Sequence, residues 1–359
     1  MQIVKARDDA TVYGSGGQLA FSLRGGQKYL LYDQEAGLGL RDGALDLAGG
    51  LERRLPSYRR QPLRSERLLL PFIGRNGDAI AAASCLAALV EAHPGITVDV
   101  ACTSDARAVW ELMPRFGELL TYPVEADLLE RYAYHLSFEE VEAVPRGAKR
   151  SCAEVFSLCL CTPRPTRPAS VTVPTNARAR WTLPDSPYPR VGVHVGACHS
   201  LRSYPHDLMA ILIDELSAQG MEVYLFGTGD SRAGTAPRLP AAAHDLAGKT
   251  TTPADLAAVL AQMHVVVTGD SFPLHLAGAL GVFTLALFTS TDAAIADDYP
   301  SVTALRSDAR CSPCGLTDGV CPLGHGECIA HRAASLSPEL VVERVGQATS
   351  VRPVSTAGQ

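Results

Sequence analysis

Continuous apolar runs and helical repeats of apolar residues predict an α/β organisation from about residue 68 onward. The run at 68–73 has the pattern of a buried strand, and a glycine-containing turn at 74–78 leads into a helical segment at 79–92. A second buried strand is predicted at 96–102, and a further helix begins at 106–113. Strand, helix and strand in this order indicate a parallel sheet with right-handed crossovers.

A second α/β series follows a stretch at 163–189 that is rich in proline and arginine. The stretch has the composition of an interdomain hinge. The predicted strands of this series are 191–195, 222–226, 265–268 and 283–288, and the predicted helices are 205–219, 253–263 and 274–280. We therefore predict Rossmann-like, doubly wound domains at 61–185 and 186–359. Residues 1–60 are predicted to form a β-rich extension, because short apolar runs alternate there with glycine pairs.

Composition narrows the class of protein. Thirty-two Lys and Arg against 38 Asp and Glu give a net charge of -6, which argues against a nucleic-acid partner. The longest apolar stretch, 79–90, is shorter than the roughly 18 to 20 residues that span a bilayer. Residues 1–9 become acidic where a secretory signal would be apolar, so a cytoplasmic protein is predicted.

The stretch at 53–67 is rich in arginine. It fits a solvated linker, or a peripheral contact with a membrane face or an anionic acceptor. A homo-oligomer is left open.

The segment 268–275 lies between an apolar strand and a helix. Ser271 is a favourable N-cap residue, and Pro273 suits the first helical turn. The same arrangement directs backbone N–H groups and the positive end of the helix toward a ligand, and His275 adds a proton donor. Asp270, Ser271 and His275 are therefore candidates for a phosphate or sugar contact, with helix capping and packing as the alternative.

Two more polar positions follow predicted strands. Asp78 stands at the start of a helix after a glycine turn, where a carboxylate either accepts the proton of an attacking hydroxyl or caps the helix. Arg202 lies in a polar loop after the strand at 191–195, and its planar donors suit a diphosphate. A surface arginine is the alternative. His194, among valines, has the pattern of a core histidine.

Four of the ten cysteines are clustered near the end of the chain. Cys311, Cys314, Cys321 and Cys328 have the spacing C-x2-C-x6-C-x6-C. Four thiolates within reach of one another form a closed tetrahedral site for zinc or iron, which is structural rather than catalytic. His325 and His331 are substitutes for one thiolate, and a loop of reduced or disulfide-linked cysteines is the alternative.

Together the motifs resemble glycosyltransferase family 9, the ADP-heptose:lipopolysaccharide heptosyltransferases and their relatives. The matching segments are Gly77-Asp78, Arg202-Ser203-Tyr204-Pro205, Asp245-Leu246-Ala247-Gly248-Lys249-Thr250 and Asp270-Ser271-Phe272-Pro273-Leu274-His275-Leu276-Ala277. Their order and spacing, within about 65–345, are more specific than any one motif.

The resemblance implies a GT-B fold with two Rossmann-like domains closing on a nucleotide sugar. It implies an inverting, metal-independent transfer of a sugar, heptose from ADP-heptose, to a hydroxyl of a glycan, a lipopolysaccharide core or a protein Ser/Thr. Asp78 then matches the catalytic base, and the donor-binding positions are Arg202, Gly248, Lys249, Thr250, Asp270, Ser271 and His275. The chain contains no D-x-D motif, in keeping with the absence of a catalytic metal.

Three features qualify this resemblance. Phe272 stands where the family usually has glycine, and the extension before the first domain is not typical of it. The extension and the cysteine cluster are similar to those of the autotransporter protein heptosyltransferases, in which such a cluster holds iron.

Two other functions are alternatives to a glycosyltransferase. A sugar-nucleotide 2-epimerase of the same architecture is the first alternative, and a non-catalytic binding protein built on the cysteine cluster is the second.

Overall fold

A computed structural model gives the fold of the 359-residue chain. The structure describes residues 1–13, 20–50, 55–139, 141, 149–194, 196, 200–227, 243–315, 321, 323–324, 326–328 and 333–351. The chain divides into two compact units. The first unit is Met1–Val144 with Ala153–Thr166, and the second is Pro145–Cys152 with Arg167–Gln359.

The first unit begins with an antiparallel sheet. Its elements are β1 (Gln2–Ala6), β2 (Ala10–Tyr13), β3 (Ala20–Leu23), β4 (Lys28–Leu31), α1 (Asp33–Arg41) and β5 (Leu45–Gly50). The strand order is β5-β1-β4-β9, where β9 is Val124–Glu125, and β2 pairs with β3. Helix α1 departs from the expectation of strands alone. A Cβ on Gly39 would stand 2.5 Å from the Leu45 side chain, so the glycine lets α1 pack closely against β5.

A parallel sheet forms the rest of the first unit. Its strands are β6 (Arg67–Phe72), β7 (Thr97–Cys102), β8 (Leu119–Thr121) and β10 (Tyr134–His135), in the order β10-β6-β7-β8. Its helices are α2 (Asn76–Ala92) and α3 (Ser104–Trp110), and α4 (Cys152–Cys159) follows later in the chain. The chain moves outward from β6 to β7 and β8, and then returns to place β10 on the other side of β6. The carboxyl ends of β6 and β10 therefore form a topological switch point, where α/β sheets bind ligands.

The second unit is built on a six-stranded parallel sheet. Its strands are β11 (Arg190–His194), β12 (Glu222–Phe226), β13 (His244–Asp245), β14 (Val265–Gly269), β15 (Phe283–Phe288) and β16 (Val302–Arg306). Its helices are α5 (Thr175–Arg180), α6 (His206–Ala218), α7 (Pro253–Leu260), α8 (Phe272–Ala279) and α9 (Pro338–Val351). The order β13-β12-β11-β14-β15-β16 is the doubly wound order 3-2-1-4-5-6, and its switch point lies between β11 and β14.

The predicted α/β class with parallel sheets is confirmed. The strands predicted at 222–226 and 283–288 have the observed bounds, because continuous apolar runs are covered by helices on both faces of a parallel sheet. Helix α8 begins at Phe272, two residues earlier than predicted. Arg67, expected in an exposed linker, is instead the first residue of β6. Within the described part of the chain, no helix is both long and apolar enough to cross a membrane.

Candidate active site

Arg202 and Asp270 meet at the switch point of the second unit. Arg202 ends a short 3₁₀ turn after β11, and Asp270 directly follows β14. The Arg202 Nη1 donates to the Asp270 carbonyl oxygen at 3.2 Å and lies 3.4 Å from the Asp270 carboxylate. The two side chains are only 12% and 8% exposed, so the alternative of a surface arginine is wrong. Arg202 Nε is buried without a hydrogen-bond partner in the described part of the structure, which leaves a donor for a ligand.

Small residues and hydroxyl side chains bring the strand-end loops together. A Cβ on Gly269 would stand 2.7 Å from the Arg202 carbonyl oxygen, so only glycine allows this approach without movement. The hydroxyls of Thr289 and Ser290, which follow β15, both donate to the Leu201 carbonyl oxygen. The loop that carries Arg202 is thus held against the ends of β14 and β15, which both lie on one side of β11 in the sheet.

Ser271 occupies the N-cap position of α8, as predicted, but its side chain does not cap the helix. Its hydroxyl lies 3.2 Å from His194 Nδ1 and 3.2 Å from the Thr268 hydroxyl. Thr268 lies 3.3 Å from the same histidine nitrogen. The positive end of α8 is therefore not capped by Ser271, and it lies beside the Arg202–Asp270 pair, which suits an anionic ligand.

His194 is a site residue that the sequence analysis missed. It is the last residue of β11 rather than a residue in mid-strand, and its ring stacks on Phe226 with centroids 5.9 Å apart. Burial lowers the pKa of His194 from 6.5 to about 4, so the imidazole is neutral at pH 7 and can share a proton with Ser271. Its place as the final residue before the loop that carries Arg202 was the available signal.

His275 is less directly placed. It lies on the first turns of α8, is 7% exposed, and its Nδ1 is 3.1 Å from the Tyr299 hydroxyl. A Cβ on Gly278 would stand 2.6 Å from the Tyr299 ring, so the helix and this tyrosine are closely packed. A packing role accounts for these contacts, and a ligand contact of His275 stays a prediction.

Gly248 and Lys249 lie in a turn after β13, at one edge of the same sheet, and Thr250 directly follows this turn. Gly248 has a φ of 73° and donates its N–H to the Gly227 carbonyl oxygen at 2.8 Å. The turn geometry therefore accounts for glycine at this position. Gly248 and Lys249 are exposed and Thr250 is half-buried, so the Lys249 side chain extends from a fixed turn.

In the first unit, Asp78 lies on the first turn of α2, and its Oδ2 accepts the Arg75 N–H at 2.8 Å. This contact bears out the capping role. Asp78 also lines a cavity of about 470 Å³ at the carboxyl ends of β6 and β10, together with Gly74 and Phe138. A Cβ on Gly74 would stand 3.0 Å from the Asp78 Cβ, so this glycine makes room for the carboxylate. Asp78 therefore both begins a helix and faces a ligand-sized cavity.

The four clustered cysteines differ in exposure. Cys328 is buried, Cys311 and Cys321 are half-buried, and Cys314 is exposed. Burial and then the charges of the other three cysteines raise the pKa of the Cys328 thiol, so the four sulfurs lie within electrostatic range. Among the residues that the structure describes, no three His, Cys, Asp or Glu side chains are arranged to hold a metal ion. The two substitute ligands, His325 and His331, lie outside the described residues.

Two units, each with polar side chains at the switch point of a parallel sheet, are typical of the class of α/β proteins that bind ligands at strand ends. Comparison with known proteins identifies this class more precisely. Residues 152–318 match the model of glycosyltransferase family 9 (heptosyltransferase). The chain thus carries a glycosyltransferase family 9 domain, and it is a glycosyltransferase enzyme. None of the curated proteins matches the chain.

Solved structures agree in fold. The ADP-heptose lipopolysaccharide heptosyltransferase II of E. coli is 20% identical, with a TM-score of 0.58 over 79% of this chain and 98% of its own. A family 9 glycosyl transferase from Veillonella parvula is 16% identical, with a TM-score of 0.66 over 80% of this chain and 98% of its own. The iron-containing dodecameric glycosyltransferase TibC of enterotoxigenic E. coli is 11% identical, with a TM-score of 0.62 over 96% and 99%. At these identities the similarity establishes the fold.

Proposed function

We propose that the protein transfers heptose from ADP-heptose to an acceptor hydroxyl, with inversion at the anomeric carbon and without a catalytic metal ion. The observation that carries the proposal is the buried Arg202–Asp270 pair beside the uncapped start of α8, within a family 9 domain. TibC has been solved in complex with ADP-D-β-D-heptose, which supports the choice of donor.

The second unit supplies the donor site in this proposal. Arg202 Nε has no hydrogen-bond partner among the residues that the structure describes, and the start of α8 adds the positive end of a helix dipole. Both stabilise the negative charge that develops on the diphosphate as the bond from the anomeric carbon to the phosphate oxygen breaks. Ser271 and His194 lie beside the same position, and we propose that Gly248, Lys249 and Thr250, at and after the turn that follows β13, bind the nucleotide.

The first unit supplies the acceptor site. Asp78 accepts the proton of the acceptor hydroxyl while the hydroxyl oxygen attacks the anomeric carbon. One displacement forms the new glycosidic bond, releases ADP and inverts the configuration. We propose residues 61–185 as the acceptor domain and 186–359 as the nucleotide-sugar domain.

Calorimetric titration tests the donor site. ADP-heptose is titrated into the wild-type protein, Asp270→Ala and Arg202→Gln, with UDP and GDP sugars as controls for the nucleotide. Loss of a hydrogen bond to a charged phosphate typically costs about 1.5–3 kcal/mol, so Arg202→Gln should weaken binding by about 10- to 100-fold. Asp270→Ala should also weaken it, because Arg202 loses the partner that orients it.

Arg306→Gln is the matched control, since Arg306 is an exposed arginine at the end of β16 in the same unit. Its affinity for ADP-heptose should equal that of the wild type. Binding of a UDP or GDP sugar instead would change the proposed donor. Release of nucleotide without any acceptor would favour the 2-epimerase, and undiminished transfer after dialysis against EDTA would support metal independence.

We also propose that Cys311, Cys314, Cys321 and Cys328 hold a structural zinc or iron ion. The spacing C-x2-C-x6-C-x6-C supports this, and TibC is an iron-containing relative in fold. A closed four-thiolate site should contain about one metal ion per chain. Elemental analysis should show this ion lost from Cys328→Ser and retained in Cys161→Ser, a half-buried cysteine of the first unit. A metal-free wild type would refute the site.

A further inference from the structure

The cavity beside Asp78 is built partly by the N-terminal segment. Tyr32, Asp33 and Glu35, at the start of α1, line it together with residues that follow β6 and β10. Three phenylalanines, Phe72, Phe138 and Phe156, supply apolar walls. A volume of about 470 Å³ is within the range of small-molecule sites. All of these residues belong to the first unit, so the cavity is complete within it.

Glu35 is the unusual member of this lining. Its side chain is buried, with the residue 1% exposed, and Oε2 has no hydrogen-bond partner in the described part of the structure. Burial raises the pKa of the Glu35 carboxyl. The dipole of α1 favours an acidic residue in its first turn, but it does not account for a buried oxygen without a partner. Such an oxygen is costly unless a ligand supplies the missing hydrogen bond.

Three further carboxylates, those of Asp33, Asp78 and Glu139, line the same cavity. The Met1 amino group contacts Asp33 at 3.4 Å and also contacts Glu139. No Lys, Arg or His is among the described residues that line the cavity. The interior therefore offers hydrogen-bond acceptors and negative charge, and it repels phosphate and carboxylate groups.

We propose that this cavity binds an uncharged sugar unit of the acceptor, and that Glu35 accepts a hydrogen bond from one of its hydroxyls. The proposal deepens the proposed function, on which it rests, by naming the acceptor class and by giving the N-terminal segment a part in acceptor selection. A sugar has hydroxyls for both Glu35 and Asp78, and its apolar C–H groups pack on the phenylalanines. A single serine or threonine hydroxyl satisfies only one of the two carboxylates.

Tryptophan fluorescence provides a readout that does not depend on transfer. Trp110 packs edge-on against Phe72, a wall of the cavity, with ring centroids 5.3 Å apart. The chain has two tryptophans, and Trp181 lies in the second unit. In a Trp181→Phe background, Trp110 alone reports on the cavity. The probes are methyl glycosides of glucose, mannose, galactose and heptose, the corresponding sugar phosphates, and the peptide acetyl-Gly-Ser-Gly-amide.

At least one neutral glycoside should change the fluorescence saturably. The corresponding sugar phosphate should bind at least about tenfold more weakly, because one unfavourable contact of 1.4 kcal/mol already lowers the affinity tenfold. Equal or tighter binding of the phosphates, binding of the peptide alone, or no glycoside binding would each overturn the proposal.

Variants at Glu35 separate a binding role from a structural one. Glu35→Leu should weaken glycoside binding at least about tenfold without lowering the melting temperature, because leucine removes a buried oxygen that receives no hydrogen bond from the described residues. Glu35→Gln keeps an acceptor oxygen and should restore most of the affinity. Glu130→Leu, the same exchange at an exposed position of the first unit, should change neither. A lower melting temperature for Glu35→Leu with unchanged binding would show a purely structural role.

The donor titration distinguishes this proposal from the proposed function. If glycosides bind as expected but ADP-heptose and the other sugar nucleotides do not, the transfer reaction is wrong and the sugar site remains. If ADP-heptose binds and its heptose is transferred, but Glu35→Leu leaves the KM for the acceptor and the glycoside affinity unchanged, only the role of Glu35 is wrong.

Discussion

The carbonyl oxygen of Arg202 lies 2.7 Å from the position that a Cβ on Gly269 would take. Gly269 ends β14, so its lack of a side chain decides how closely the loop after β11 approaches Asp270. This contact is between backbone and a fixed strand end, where neither partner moves easily. The position of Arg202 therefore depends on a glycine that itself carries no chemistry.

Gly269→Ala should displace the Arg202 loop and weaken donor binding. Forcing an extra methyl into a packed region typically costs about 1–3 kcal/mol, and the same displacement moves the guanidinium from Asp270. We expect a lower melting temperature and at least about a tenfold rise in the Kd for ADP-heptose, since 1.4 kcal/mol equals tenfold. Calorimetry and thermal unfolding of the same samples measure both.

Gly346→Ala is the matched control in the same unit. Gly346 lies in α9, and an added Cβ would meet only the Gln219 side chain, at 3.8 Å. This variant should raise the free energy of unfolding by about 1 kcal/mol through helix propensity and leave donor binding unchanged. If Gly269→Ala binds ADP-heptose as the wild type does, the close approach of the two loops is not required for the site.

The free energy of unfolding should decrease as the pH is lowered, because of His194. Its pKa is lowered from 6.5 to about 4 by burial, so the unfolded chain binds a proton in a range where the folded chain does not. The stabilisation is complete above pH 6.5 and is lost as the pH falls toward 4. Between pH 7 and pH 5 this histidine should account for about 2 kcal/mol.

Urea unfolding at the two pH values measures this loss. His194→Asn keeps a polar contact for Ser271 but does not titrate, so it should lose about 2 kcal/mol less than the wild type over the interval. His264, whose pKa burial also lowers, contributes to both proteins equally. If the free energy of unfolding decreases equally in the two proteins between pH 7 and pH 5, the pKa of His194 is not lowered.

Asp78→Asn should abolish most of the transfer activity and leave the fold intact. Asparagine retains an oxygen for the Arg75 N–H, so helix α2 still has its cap, but it cannot accept the acceptor proton at neutral pH. General base catalysis contributes about 100- to 10,000-fold, and kcat should fall within that range. The variant should still bind ADP-heptose normally.

Asp105→Asn serves as its control, because Asp105 is an acidic residue in the first turn of α3, in the same unit. It should alter kcat by less than a factor of about two, since exposed substitutions away from a site usually have small effects. Equal activity of Asp78→Asn and Asp105→Asn would remove Asp78 from the mechanism.

The sequence was informative where one local pattern determines the structure. Continuous apolar runs located β12 and β15 to the residue, and the order of strands and helices located the strand ends near which Asp78, Arg202 and Asp270 lie. Helix α1 was missed because Gly37 and Gly39 have low helix propensity, and its formation depends on packing against Leu45.

Pairings between distant residues were not available from the sequence. Arg202 and Asp270 are 68 positions apart, and their contact depends on strand order and on the absence of a side chain at Gly269. Glu35 was missed for the same reason, since its burial beside Asp78 requires α1 to pack at the ends of β6 and β10. Sequence motifs identified single groups, whereas tertiary structure determined their partners.

Asp99 should be a major determinant of the stability of the first unit. It lies in mid-strand on β7 with 0% exposure and accepts hydrogen bonds from the Tyr132 hydroxyl at 2.8 Å and the Glu118 N–H at 2.8 Å. Arg67 donates to the same carboxylate through Nε at 2.9 Å. Asp99→Ala leaves these donors without a partner and should lower the free energy of unfolding by about 3 kcal/mol.

Asp127→Ala is the control, at an exposed position of the same unit. Its free energy of unfolding should lie within about 0.5 kcal/mol of that of the wild type. Chemical denaturation measures both, and comparable stabilities of the two variants would show that the buried network contributes little.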